Sequence, residues 1–114
     1  MAEWSDWYPL TYDSVQAESQ NLPGVYQIAL AEGELEYGSA RSPIIYIEAT
    51  YRGTLRTQLL EEVEGSGSPC VFDHLSRQPL IYRELATAEP EQEEEAALAE
   101  FESEFGTLPA CNKQ

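Results

Sequence analysis

Apolar and polar positions alternate first over "LPGVYQIAL" (22–30), where Val25, Gln27 and Ala29 fall on one side and Tyr26, Ile28 and Leu30 on the other. A Pro-Gly turn signal precedes the run, so it reads as a strand. "PIIYIEA" (43–49) is β-branched and aromatic and gives a second strand, with Ile44, Tyr46 and Glu48 on one face. Between them "EGELEYGSARSP" (32–43) holds two glycines and a proline and reads as a hairpin connection. The period then changes. Thr54 is an N-cap after Gly53, and Leu55, Leu59 and Val63 recur at helical spacing until "GSGSP" (65–69) stops the helix. "PLIYREL" (79–85) is a third strand, and Pro90 opens a last helix that runs to Phe105 and ends at Gly106.

The order strand, strand, helix, strand, helix predicts an α+β domain: a small three-stranded antiparallel sheet flanked by helices, which give the sheet the cover it needs. At 114 residues and 42% apolar content the chain is expected to form one domain, residues 1–114. Its first 21 residues carry Trp4, Trp7, Tyr8 and Tyr12 and a short helix from Tyr12 to Gln20, read as an aromatic lid over a core at 22–112.

Charge changes the picture more than composition does. Twenty-one acidic residues against six basic ones leave a net charge of −15, a field that opposes nucleic acid and anionic membranes. Five of the six cations are Arg, a bias that fits adaptation to very high salt, where the Debye length falls to about 3 Å and repulsion is screened. The same acidity also fits a surface for a basic protein partner. No run of about 18 apolar residues is present, and the N-terminus lacks a basic start and an apolar stretch, so a membrane span and a signal peptide are not expected. The expectation is a cytoplasmic protein with Cys70 and Cys111 reduced, a single bridge between them being the alternative, and with His74, its single histidine, in a loop or at the surface.

Three residue types invite chemistry. Arg56 lies in the first turn of its helix, where a cation opposes the helix dipole, and its spacing to Leu59, Leu60 and Val63 turns it toward the buried stripe. A guanidinium joined to free N–H groups there makes a phosphate or carboxylate site; the plainer alternative is a stem packed on the sheet with its head paired to a glutamate. Arg52 stands close by. In the last helix Ala97, Leu98, Phe101 and Phe105 form the apolar stripe, and Glu100 sits at its edge, where a carboxylate could face a cleft and hold Mg²⁺. Tyr26 and Tyr46 stand on neighbouring strands. A phenol, an arginine and a metal-binding carboxylate are the parts of a phosphodiester hydrolase.

These positions resemble the GIY-YIG nuclease superfamily from Leu22 to Asn112. "GVY" (24–26) is similar to the first signature and "YIE" (46–48) to the second; Arg56, Glu100 and Asn112 match the arginine, the metal-binding glutamate and the closing asparagine. The resemblance implies that Tyr26 helps to deprotonate the attacking water, Tyr46 orients it, Arg56 holds the scissile phosphate, and Glu100 binds Mg²⁺ or Mn²⁺. Asn112 supports the site, and Arg52 assists in binding DNA. One departure bears on activity: Glu48 replaces the second signature's glycine, on the Tyr46 face, where it could add to the metal site, pair with Arg56 or repel the phosphate. Two readings follow, a metal-dependent DNA endonuclease and a catalytically inactive domain with an acidic protein-binding or DNA-mimicking surface.

Overall fold

The computed structural model describes residues 3–113. Six strands form in chain order: β1 (Tyr8–Pro9), β2 (Gly24–Leu30), β3 (Leu35–Tyr37), β4 (Ala40–Ser42), β5 (Ile44–Ala49) and β6 (Leu80–Ala86). The helices are α1 (Tyr12–Glu18), α2 (Leu55–Glu64), α3 (Pro69–Leu75) and α4 (Pro90–Phe105), followed by a 3₁₀ turn at Ala110–Lys113. The α+β class holds, but the main sheet has four strands rather than three, in the antiparallel order β1-β6-β2-β5. The extra strand is Tyr8–Pro9, which pairs with Tyr82 and Ile81. Residues expected to form a lid are therefore part of the sheet, held further by the Ser5 N–H donating to Glu84 O at 2.8 Å.

Helices cover both faces of the sheet, which is why the central strand β2 is buried at all seven positions despite its alternating pattern. Tyr26, Ile28 and Leu30 meet Val15 of α1, Leu55 and Leu59 of α2 and Val71 of α3. Across the sheet, Val25, Ile47 and Ala49 meet Phe101, Ala97 and Leu98 of α4. Gly24 is required where β2 crosses closest to β6, because a Cβ there would overlap the Leu85 carbonyl oxygen.

One irregularity corrects the expected face of β5. Ile28 pairs with Tyr46 but Ala29 pairs with Ile44, so Ile45 is an extra, bulged residue. Tyr46 and Glu48 keep the α2 face, whereas Ile44 turns to the α4 side and Ile45 enters the other core. The connection between the strands forms the separate β3–β4 hairpin, and Tyr37 anchors it edge-on against Phe101 with ring centroids 5.1 Å apart.

Helix α3 was not expected. The "GSGSP" stretch ends α2 at Gly65, whose φ of 91° gives the left-handed cap, but it also starts a helix. Ser68 accepts from the Val71 N–H and Pro69 occupies the first turn. His74 is therefore on a helix rather than in a loop. Cys70 and Cys111, expected to be reduced, are joined in a disulfide that ties α3 to the C-terminal 3₁₀ turn.

Candidate functional site

On the α2 side of the sheet a cleft of about 480 Å³ opens beside Tyr26 and Tyr46, whose ring centroids are 6.3 Å apart. Strand alternation and the bulge aim both tyrosines here. Glu48, Arg52, Gln58, Glu61 and Glu62 also line it.

Tyr26 is fully buried and donates to Glu62 Oε2 at 2.6 Å. Glu62 is itself 2% exposed, and its Oε1 accepts from the Ser68 N–H at 2.8 Å. Gln58 Nε2 donates to Tyr26 Oη at 3.3 Å and to the Ala49 carbonyl at 2.9 Å. Burial, reinforced by the Glu62 charge, pushes the Tyr26 phenol well above its ordinary value. Burial likewise raises Glu62. A phenol that donates to a buried carboxylate holds its proton, so Tyr26 is poorly set to act as a base.

Glu48 organises the outer part of the cleft. Its two oxygens accept from Tyr46 Oη at 2.6 Å and from Tyr51 Oη at 3.2 Å. Burial and the Glu48 bond raise the Tyr46 phenol far above its usual range, and the Glu48 charge, more than burial, pushes Tyr51 up to about 12. From α4, Glu94 reaches the same place: its Oε2 accepts from the Ala49 N–H at 2.8 Å. Burial, and after it a hydrogen bond to Glu48, pushes the Glu94 carboxyl up to about 7, so Glu94 is partly protonated near neutrality.

Of the residues singled out in the sequence, Tyr26, Tyr46 and Arg52 line this cleft, and Arg56, Glu100 and Asn112 do not. Arg56 does not line the cleft; its Nε and Nη2 donate to the Ser19 carbonyl at 3.0 and 2.7 Å. The buried stripe of α2 is Leu55, Leu59 and Glu62, and this phase turns Arg56 toward the end of α1 while Gln58 faces the tyrosines. The Ser19 hydroxyl and the Gln20 N–H in turn donate to the buried Glu84 carboxylate at 2.6 and 2.9 Å. Arg56 thus closes a structural knot.

Glu100 lies on the opposite face. It lines a second cavity, of about 440 Å³, with Trp4, Gln27 and Arg83. Arg83 Nε donates to Gln27 Oε1 at 2.9 Å, and its guanidinium carbon stands 4.9 Å from the Trp4 ring and 4.8 Å from the Trp7 ring. Burial lowers the Arg83 value, and the Glu100 charge opposes that shift. A Mg²⁺ or Mn²⁺ on Glu100 would therefore sit beside a cation, with the sheet between it and the tyrosines. This donor set does not fit a metal that acts with Tyr26 and Tyr46.

Asn112 also has a structural task. Its Oδ1 accepts from the Ile47 N–H at 2.9 Å and its Nδ2 donates to the Ile47 carbonyl at 2.8 Å, pairing the free edge of β5 as a strand would. Arg52 alone of the expected cations reaches the cleft, at its exposed rim. Gln58, Glu62 and Glu94 do not stand out in the sequence as site residues; the spacing of Gln58 and Glu62, three and seven residues after buried Leu55, is the signal that places them on the sheet-facing side of α2. Comparison of the chain with protein-family models, curated proteins and solved structures gives no match.

Proposed function

We propose that this chain is a catalytically silent binding domain that takes a basic protein segment on its acidic surface, at the cleft beside Tyr26 and Tyr46. One observation carries the reading: the parts of the expected hydrolytic site lie in three separate places. The tyrosines face an amide, Gln58, and three carboxylates, Glu48, Glu61 and Glu62, while Arg56 is bound to Ser19 and Glu100 is across the sheet. Such a cleft repels phosphate and attracts ammonium or guanidinium groups, and the net charge of −15 steers a cationic partner toward it. The Tyr46 and Tyr51 faces add aromatic surface for an Arg or Lys side chain.

A titration with a Lys- and Arg-rich peptide, followed by amide NMR shifts, tests this. Shifts should cluster around Glu48, Arg52 and Glu61 and fade with salt. Glu48→Gln with Glu61→Gln should weaken binding about tenfold, corresponding to about 1.4 kcal/mol. Removing equal charge at the exposed Glu32 and Glu34 should not. Equal weakening by both pairs would reduce the interaction to net charge and remove the site.

The endonuclease reading keeps one specific support, the pairing of Tyr26 and Tyr46 in one cleft with Arg52 at its mouth. It would need DNA to approach through the acidic rim and a divalent ion held elsewhere than at Glu100. Metal-dependent DNA cleavage that vanishes in Tyr26→Phe would favour it.

A further inference from the structure

We propose that the Cys70–Cys111 disulfide is the oxidised form of a transition-metal site, in which the reduced thiolates and His74 together bind a borderline-soft divalent ion such as Zn²⁺. Cys70 and His74 are four residues apart on α3 and so share one face of the helix, and Cys111 arrives from the 3₁₀ turn. One ligand atom from each of the three lies within 4.8 Å of the others. The decisive detail is His74 Nδ1, a buried nitrogen with no hydrogen-bond partner. An unmet buried imidazole nitrogen is costly, and coordination would satisfy it. Two sulfurs and an imidazole form a donor set that suits Zn²⁺ rather than Mg²⁺, with water completing the tetrahedron.

The chemistry balances with a dithiol as reductant. A thiolate of the dithiol attacks one sulfur of the bridge, and its second thiol resolves the mixed disulfide. The dithiol leaves oxidised, having given two electrons, and Cys70 and Cys111 become thiols with two protons. Binding of the ion by both sulfurs then releases those two protons. Metal–sulfur bonds of about 2.3 Å in a tetrahedron separate the sulfurs by about 3.8 Å, a modest opening for residues whose Cα atoms are already 5.4 Å apart.

The test uses the full chain, oxidised or reduced with a phosphine, which leaves no competing thiol, and Co²⁺ as the spectroscopic probe. The reduced chain should take up one Co²⁺, with thiolate charge-transfer absorption and the visible bands of a tetrahedral ion, and Zn²⁺ should displace it. The oxidised chain should show none of this. His74→Ala, which keeps both cysteines, should lose about tenfold or more in affinity. Absence of the bands on reduction, equal uptake by the oxidised chain, or unchanged affinity in His74→Ala would each overturn the proposal. The last outcome also covers a reduced chain that unfolds, since loose thiolates would bind without His74.

Discussion

Glu94, held beside Glu48 at the end of β5, makes stability depend on pH in a stated direction. A carboxyl raised from 4.5 to about 7 binds its proton more tightly folded than unfolded. Its contribution is therefore fully present below about 4.5 and is lost as pH climbs through about 7. Glu94→Gln keeps an acceptor for the Ala49 N–H and offers a permanent donor to Glu48. It should melt higher than wild type near pH ~8 and match it near pH ~5, read by thermal unfolding; a variant less stable at both values would contradict the raised Glu94 carboxyl. Glu62 is a different case, because its oxygens serve two partners inside the core. Glu62→Ala strands the Ser68 N–H and weakens the tie on Tyr26, and should cost about 3 kcal/mol in denaturant unfolding, whereas Glu62→Gln should cost about 1 kcal/mol. At this scale Tyr26 and Tyr46 were legible because strand alternation fixes direction. Arg56 was not, because its expected direction rested on Leu59, Leu60 and Val63, of which Leu60 and Val63 are only partly buried, whereas the buried stripe is Leu55, Leu59 and the charged Glu62.

Strand β5 forms an edge of the main sheet, and the chain covers that edge with side chains instead of another strand. Asn112 pairs both backbone groups of Ile47, and Glu94 takes the Ala49 N–H. Asn112→Ala should cost about 1–3 kcal/mol and speed amide exchange at Ile47 while leaving β2 protected; unchanged exchange there would show that the edge needs no plug. The helices α2 and α4 and strands β2, β5 and β6 were legible to within a residue or two, because each has a clear period and a cap or turn at its ends. Three features were not. Two residues of β1 are too few to carry a period, and α3 has one fully buried residue, Val71, in a run opened by residues that also close α2. The bulge at Ile45 depends on pairing between strands, which a single run of apolar residues does not encode.

Across the whole molecule, carboxylates outnumber cations so far that repulsion is the dominant long-range term. Among the described residues two ion pairs form, Arg41–Glu36 and Arg77–Asp73, and both are exposed, so they offset little of it. Thermal stability should therefore rise from dilute buffer into molar KCl, as screening shortens to about 3 Å; a flat response would leave the acidity without a link to salt. No helix among the described residues is long and apolar enough to cross a membrane. A bonded cysteine pair is uncommon in the reducing cytoplasm, and a bridge that opens to hold a metal would suit a setting where redox conditions change. Charge was fully legible from composition, but its arrangement was not, and the arrangement decides function: carboxylates gather at the tyrosine cleft while Arg56 and Glu100 leave it. Incubation of supercoiled plasmid with the protein and Mg²⁺ or Mn²⁺, at low and at molar salt, tests this most directly. A silent binding domain gives no nicking above a protein-free control, whereas metal-dependent nicking abolished by Tyr26→Phe or Glu100→Gln would contradict that reading.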